Sequence, residues 1–354
     1  MSLYDRLADL SLVVDDESRS RRERTTSGGF VRSTTVFALL GDGETGRGED
    51  VTYDTEDHDA LAKAPPFDFS GEYTFAEFSA MLDDVDLFPT KSPERETGRH
   101  YRRWAVESAA LDLALKQADT TLGEAVGREY DPVRFVVSTR LDGEDGTSTD
   151  RIGQIRAVNP GVEFKLDPTS DWDDELVTEL SETSTVRILD LKGHYHGTTV
   201  DQDADVALYE RVLSGFPEAI VEDPAVTAET EAMLEAEAER LSWDAPITGV
   251  ESVESLPFEP RWLNVKPSRF GTVESLLETV EYADERDISL YGGGQFELGV
   301  GRTQIQQLAS LFYPEGPNDV APGEYNDPEV PTTAPPSPLD GVEPAHGFGT
   351  VEES

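Results

Sequence analysis

From residue 133 onward the sequence repeats one unit, a short apolar run readable as a strand followed by a helical run. Such repetition favours a parallel α/β barrel over separate small domains. The stretch 262–302 shows the unit most fully. Trp262-Leu263-Asn264-Val265 is an apolar strand ending on Lys266, followed at once by Pro267-Ser268-Arg269-Phe270-Gly271. Val273, Leu276, Leu277, Val280 and Ala283 then recur at helical spacing. The chain returns to strand at Ile288-Ser289-Leu290-Tyr291 and breaks into Gly292-Gly293-Gly294-Gln295-Phe296-Glu297, with Gly299-Val300-Gly301-Arg302 behind. Polar groups thus stand at strand exits, where a parallel barrel carries its chemistry, and glycines there let a ligand approach the backbone.

Upstream, strands are expected at Arg134-Phe135-Val136-Val137-Ser138-Thr139, Gly161-Val162-Glu163-Phe164-Lys165-Leu166 and Thr185-Val186-Arg187-Ile188-Leu189-Asp190. The third leads into Leu191-Lys192-Gly193-His194-Tyr195-His196. A helix around Ala204, Leu208 and Val212 precedes Ala219-Ile220-Val221-Glu222-Asp223-Pro224. A helical run from Met233 to Leu241 precedes an expected fifth strand at Pro246-Ile247-Thr248-Gly249-Val250-Glu251-Ser252. Carboxylates therefore close three consecutive strands, Asp190, Glu222 and Glu251, separated by roughly 30 residues, about one βα unit.

Residues 1–130 read differently, as an α+β lobe. Two β-rich stretches, Leu10-Ser11-Leu12-Val13-Val14 and Thr34-Thr35-Val36-Phe37-Ala38-Leu39-Leu40, flank an Arg-rich loop at residues 15–29. That loop is either a mobile solvated segment or a lid that offers cations to an anionic substrate. Gly41-Asp42-Gly43 signals a hairpin, and Thr74 with Glu77 three residues on signals a capped helix start. The small-residue helix from Trp104 to Leu115 must be packed on at least two sides. Residues 131–315 are assigned to the barrel. Residues 316–354 form a proline- and acid-rich segment in extended conformation over the surface.

Composition narrows the partners. With 73 acidic and 29 basic residues the formal charge is −44, spread along the chain between ordinary apolar periodicities. This is the pattern of a folded, halophilic protein whose acidic surface is adapted to high salt. Nucleic acid and anionic membrane are excluded as partners, because their phosphates would be repelled. The chain has no cysteine, which removes disulfide and thiol chemistry. It has neither an apolar run near the ~20 residues of a bilayer span nor a signal-peptide core after Met1, and a cytoplasmic location is expected. Gly292-Gly293-Gly294 is not followed by Gly-Lys-Ser/Thr, so it is not a nucleotide loop. His194 and His196 stand where metal ligands can occur, but without a second His cluster or cysteine they do not make a zinc site.

Lysine is scarce, with six among the 29 basic residues, yet Lys165, Lys192 and Lys266 each end a strand-like run. Burial can lower a lysine pKa until it exchanges protons. Three carboxylates converging at a barrel mouth would repel one another unless a hard cation such as Mg²⁺ took their oxygens. A lysine on each side of such a site suits proton abstraction next to a carboxylate, with the metal stabilising the enediolate.

This ordered set, together with Asn264-Val265-Lys266-Pro267-Ser268-Arg269 and residues 293–302, resembles the enolase superfamily in its muconate-cycloisomerase and o-succinylbenzoate-synthase branch. The resemblance covers nearly the whole chain. It implies a modified (β/α)7β TIM-like barrel with an α+β N-terminal capping domain. Gly46-Arg47-Gly48-Glu49 and the Ala105 to Leu115 helix look like the cap, and residues 15–29 like its substrate-covering loop. Gly347-Phe348-Gly349 looks like the C-terminal segment returning to the cap. By the same likeness Lys266 is the sixth-strand lysine, Lys165 the catalytic second-strand lysine, and Asp190 and Glu222 the first two Mg²⁺ ligands. Substrate contacts are assigned to Arg269, Gly293, Gly294 and Glu297.

The sequence departs from the family pattern at several places. Only 15 residues, with Pro257 and Pro260 among them, lead from Glu251 to Lys266, where the usual helix is expected to be lost. Three further departures touch the site itself. Glu163 precedes Lys165 where Lys-x-Lys is usual, and a register one step along would put Asp167 in the catalytic position. Val250-Glu251-Ser252 stands for Asp-Glu-Ser, so either Glu251 is the third metal ligand or the metal site is incomplete. Lys192 stands where asparagine is common, and could neutralise the metal carboxylates or displace the ion. The expected function is a Mg²⁺-dependent lyase or isomerase acting on a small carboxylate substrate, nearest to o-succinylbenzoate synthase, a cycloisomerase or a racemase. The alternative is a non-catalytic or metal-independent relative that serves as a binding protein. Either leaves room for a homo-oligomer.

Overall fold

The structure is a computed structural model and describes residues 1–143, 146–195 and 200–350. Its N-terminal part runs α1 (Asp5–Ala8), β1 (Ser11–Val14), β2 (Asp16–Thr25), β3 (Val31–Gly41), β4 (Glu44–Asp50), α2 (Thr55–Lys63), β5 (Gly71–Thr74), α3 (Phe75–Met81), α4 (Thr97–Gln117) and α5 (Leu122–Val126). Strands β2, β3 and β4 form an antiparallel meander, and β1 pairs antiparallel with β5. The capping box of α3 is formed, with Glu77 N on Thr74 Oγ1 at 3.2 Å and Thr74 N on Glu77 Oε2 at 2.8 Å.

Residues 15–29 correct the sequence reading. They are not an open loop: β2 pairs with β3 from Asp16 opposite Leu40 to Thr25 opposite Val31. As the outer strand of the meander, β2 needs no apolar alternation, and its charged sequence gives no strand signal. Its arginines brace the lobe. Arg19 donates to the carbonyls of Leu61 at 3.0 Å and Pro65 at 2.7 Å, and Arg21 pairs with Glu23 at 2.7 Å and with Asp59.

The helix α4 is buried from Trp104 to Leu115. Strand β4 lies directly on it, because a Cβ on Gly48 would fall 2.0 Å from the Ala105 carbonyl oxygen. Only glycine admits that approach.

The C-terminal part alternates strand and helix. After β6 (Val136–Thr139) and a small ladder of β7 (Asp142–Gly143) with β8 (Gly146–Thr147) come α6 (Asp150–Val158), β9 (Glu163–Leu166), α7 (Asp174–Thr183) and β10 (Thr185–Asp190). Then follow α8 (Val206–Gly215), β11 (Ile220–Glu222), α9 (Glu231–Ala236), β12 (Leu241–Trp243) and α10 (Val250–Glu254). Last come β13 (Trp262–Val265), α11 (Pro267–Phe270), α12 (Val273–Asp284), β14 (Ser289–Gly292) and α13 (Val300–Phe312).

Seven strands lie side by side in the order β6-β9-β10-β11-β12-β13-β14, each adjoining pair parallel. Residues 318 and 319 close the gap between the outer two. Val136 N donates to the Asn318 carbonyl at 2.9 Å and Asp319 N to that of Gly292 at 2.7 Å. The Asn318 amide oxygen accepts from Gly292 N at 2.6 Å, and its nitrogen donates to the carbonyls of Arg134 and Gly316, both at 2.9 Å. The result is a (β/α)7β barrel whose eighth strand is a bridge of two residues. Val136, Ile188, Ile220 and Tyr291 pack together as a small buried cluster.

The fifth barrel strand lies earlier than the sequence suggests. It is β12, three buried residues, and the stretch 246–252 is a loop entering α10. Glycine at position 249 and the Ser252 hydroxyl, which receives Thr248 N at 2.9 Å and Gly249 N at 3.2 Å, turn that chain into helix. Among the described residues, no helix is long and apolar enough to cross a membrane.

Two contacts set the cap on the barrel mouth. Glu49, at the end of β4, accepts from Leu298 N at 2.7 Å and from Gly299 N and Gly301 N at 2.9 Å. At the β2–β3 turn, Phe30 packs edge-on against Phe296 with ring centroids 5.5 Å apart. The C-terminal segment also reaches the cap, with Gly347 N on the Thr120 carbonyl and Phe348 N on Asp112 Oδ1, both at 2.8 Å.

Candidate active site

Parallel pairing puts the last residue of each strand at one end of the barrel, and this register gathers the charged residues. Asp190 pairs with Glu222 across β10 and β11, and Lys165 lies one strand further along on β9. Asp244 follows β12 directly, and Lys266 follows β13. Lys165 and Lys266 thus leave strands with β10, β11 and β12 between them, and the carboxylates Asp190, Glu222 and Asp244 stand on those three.

The Lys165 ammonium is paired with Glu222 and lies 3.1 Å from Asp190 Oδ2 and 3.8 Å from Asp319 Oδ2. The second Glu222 oxygen accepts from Asn264 Nδ2 at 3.1 Å and from the Tyr291 hydroxyl, which also meets Ser242 Oγ at 2.8 Å. The Lys192 ammonium sits on Asp190 Oδ2, with Asp167 Oδ1 at 3.4 Å. Lys266 donates to Asp244 Oδ2 at 2.8 Å, the Tyr195 hydroxyl donates to the same oxygen at 2.7 Å, and Arg269 Nε faces Asp244 Oδ1 at 3.3 Å. Asp223, at φ +47°, turns its carboxylate back to accept Asp244 N and Ala245 N, both at 2.9 Å, and so fixes the chain at the exit of β12.

Burial alone would depress the Lys165 pKa, but Glu222 and then Asp190 outweigh it and hold the ammonium well above the ordinary lysine value. Burial raises Glu222 above the ordinary carboxylate value, against the pull of Lys165. Burial likewise raises Asp223 to about 7, with Asp244 and Asp190 adding to it. Asp190 and Asp244 go the other way. The burial that would raise them is overcome by Lys192 and Lys165 at the first and by Arg269 and Lys266 at the second, and both stay well below the usual carboxylate range.

Of the residues singled out in the sequence, the structure brings together Lys165, Asp190, Glu222, Lys192, Lys266 and Arg269. In β9 it is Lys165 that enters the cluster, while Asp167 lies at the rim, 3.2 Å from Arg140. Glu251 does not join them. It is exposed in the first turn of α10, because the fifth strand ends at Trp243, and Asp244 stands at the exit that Glu251 was expected to fill.

Gly293 lies against the cluster: a Cβ there would fall 2.6 Å from Asn264 Oδ1 and 2.8 Å from Lys266 Cε. Gly294 and Glu297 shape the loop after β14, where Glu297 Oε1 accepts Gln295 N at 2.7 Å and Oε2 faces Arg302 at 3.6 Å. His194 packs edge-on against Trp243 at 5.5 Å, and His196 lies outside the described residues. The sequence reading passed over Asp244, Asp223, Tyr195, Asn264, Tyr291 and Asp319. Asp244 carried a signal, an acid directly after the apolar Leu241-Ser242-Trp243.

Asp190, Glu222 and Asp244 have the hard oxygen chemistry that Mg²⁺ takes. Their placement does not fit the ion. Lysine ammonium groups sit on Asp190 Oδ2, Glu222 Oε1 and Asp244 Oδ2, and Arg269 faces the other Asp244 oxygen. Among the described residues, no three His, Cys, Asp or Glu side chains are grouped to hold a metal ion.

Comparison with known proteins bears on the family and the fold. One family profile, Domain of unknown function (DUF8230) N-terminal domain, matches residues 5–125, and its partner, Domain of unknown function (DUF8230) C-terminal domain, matches residues 129–327. The chain belongs to the DUF8230 family. Its fold is that of the enolase superfamily. An unknown member of the enolase superfamily from Enterococcus faecalis V583 superposes with a TM-score of 0.63 at 19% identity, over 90% of this chain and 89% of the other. Muconate lactonizing enzyme from Pseudomonas putida gives 0.62 at 20% identity, over 87% and 88%. Among curated sequences, o-succinylbenzoate synthase of Bacillus subtilis (strain 168) is 22% identical over 66% of this chain and 63% of its own length. This DUF8230 chain therefore spans less than two thirds of the length of the curated relatives it matches.

Proposed function

We propose that the barrel mouth binds a small organic acid and moves the proton α to its carboxylate, as an enolase-type lyase or isomerase. The observation that carries the reading is the placement of Lys165 and Lys266 on β9 and β13, across the mouth, with the carboxylate row on the three strands between. An acid bound between two such lysines can lose its α proton towards one face, and the planar enediolate so formed can regain a proton at Cα from either face. One lysine, as the neutral amine, takes the proton from Cα. The C–H electron pair passes into the carboxylate, and the other lysine, as the ammonium, holds the developing charge or returns a proton.

In the arrangement described, both ammonium groups are paired with carboxylates, so an entering substrate anion must draw one of them away before it can act as a base. The similarity to o-succinylbenzoate synthase and muconate lactonizing enzyme supports dehydration or cycloisomerisation as the overall change, with racemisation as a third outcome of the same proton transfer. The Mg²⁺ expected from the resemblance enters no step here. The supporting experiment is to incubate the protein with a panel of small carboxylates in D₂O at molar salt and follow the α-proton signal by NMR. Enzyme-dependent loss of that signal for one acid supports the reading, and its retention across the panel counts against it.

A second reading, a barrel that binds an anion without catalysis, is favoured by one feature. Lys165 is held as an ammonium between Glu222 and Asp190, which is the wrong protonation state for a base.

A further inference from the structure

The segment leaving β10 does something that the carboxylate row alone does not explain. Within six residues it supplies Asp190, then Lys192, whose ammonium sits on Asp190 Oδ2, then Tyr195, whose hydroxyl donates to Asp244 Oδ2 at 2.7 Å. The Lys192 ammonium lies 5.1 Å from the centre of the Tyr195 ring, so one short stretch lies over both ends of the row. The Lys192 side chain is only 13% exposed, and its backbone is at φ +55°, a conformation that costs a non-glycine residue energy. Its own N–H lies 3.2 Å from Asp190 Oδ1, so the turn is wound around this carboxylate.

Charge counting points the same way. Asp190, Glu222 and Asp244 face Lys165, Lys192, Lys266 and Arg269, three acids against four bases in one buried cluster, while Asp223 turns to the backbone N–H groups of Asp244 and Ala245. Asp167 and Asp319 lie at its rim, and Arg140 offsets the first of these. A divalent cation added to this set would leave surplus positive charge in a buried site, which is costly. With an uncharged asparagine in place of Lys192 the same acids would face one base fewer, and Asp190 would lose the ammonium on its Oδ2 and be open to a cation.

We propose that Lys192 takes the place of the divalent ion in this barrel, so that the carboxylate row is completed by the chain itself and the mouth accepts an anionic carboxylate ligand without metal. The inference rests on the carboxylate row and stands whether or not the two flanking lysines transfer protons.

Mn²⁺ serves as the probe, because free and bound Mn²⁺ are distinguished by EPR without any turnover. The full chain is titrated with Mn²⁺ in molar KCl beside Lys192→Asn and Lys192→Arg, each checked for a cooperative melt. The expected result is no saturable binding by the unmodified protein or by Lys192→Arg. Lys192→Asn is expected to bind one Mn²⁺ saturably, on the order of 100-fold or more above any weak residual association of the unmodified protein, once the ammonium on Asp190 is gone. One tightly bound Mn²⁺ on the unmodified protein overturns the proposal, and that titration needs no variant to fold. A folded Lys192→Asn that gains no affinity overturns it as well.

Discussion

Glu49 is the side chain of the cap that starts a helix of the barrel, and its removal has a cost that can be worked from the geometry. Its carboxylate accepts four hydrogen bonds, from Thr34 Oγ1 at 2.7 Å and from the backbone of Leu298, Gly299 and Gly301 at 2.7, 2.9 and 2.9 Å. The helix α13 begins at Val300 on a glycine N-cap with no side-chain cap of its own, so Glu49 satisfies the helix's free N–H groups from another domain. Burial raises its pKa, with Thr34 and the Leu298 N–H opposing, so part of the gain is spent on desolvating the carboxylate.

Glu49→Ala leaves three backbone donors without a partner at about 1–3 kcal/mol each. Water entering the gap recovers part of this, and the net loss is expected at about 3–6 kcal/mol, a large share of the stability of a typical domain. Glu49→Gln keeps the shape but turns an amide N–H₂ towards donors, and should lose about 1–3 kcal/mol. Urea unfolding in molar KCl measures both. An alanine variant within about 0.5 kcal/mol of the unmodified protein, the range of an ordinary surface substitution, would refute the account of the cap–barrel latch.

Two further outcomes are expected. His58 is buried, with Nδ1 at 2.9 Å from Thr35 Oγ1 and Nε2 at 2.8 Å from the Thr52 carbonyl, and burial depresses its pKa below the ordinary value against the pull of Asp50. The unfolded chain then binds the proton first as pH falls through about 6.5, so His58 contributes stability that is present above that pH and lost below it. His58→Gln should flatten the fall in unfolding free energy between about pH 7 and 5, and an unchanged slope would contradict the assignment. Gly293→Ala drives a methyl group into Asn264 and Lys266 and should cost about 1–3 kcal/mol by overpacking, with loss of any activity that Lys266 carries. Thermal melts and the activity assay check the two halves of that statement separately.

Much of the barrel was legible because its strands are apolar, bounded and evenly spaced. The reading of Thr185 to Asp190 and of Trp262 to Val265 coincides with β10 and β13 to the residue. What escaped did so for physical reasons. Strand β12 is three buried residues with no alternation, and the helical-looking run from Met233 merges into it. The β-branched residues at 247, 248 and 250 imitated a strand just beyond, and the third carboxylate was accordingly placed on Glu251. Strand β2 was hidden for the opposite reason: it carries almost no apolar residue, and pairing with β3 alone makes it a strand. The cluster's lysines stood out by their rarity and position. Its supports, Asn264, Tyr291 and Tyr195, come from separate strands and loops and are joined only by the barrel's closure.

The central claim is that two lysines across the barrel mouth move a proton at the carbon next to a carboxylate. Its most direct test is α-proton exchange in D₂O for an acid that the unmodified protein turns over or labels, repeated with Lys165→Ala and Lys266→Ala. The account predicts that each substitution lowers exchange by roughly 10²–10⁴-fold, the contribution of a positioned acid or base, while the melting transition persists. Exchange that survives both substitutions in folded protein would place the chemistry elsewhere and contradict the account.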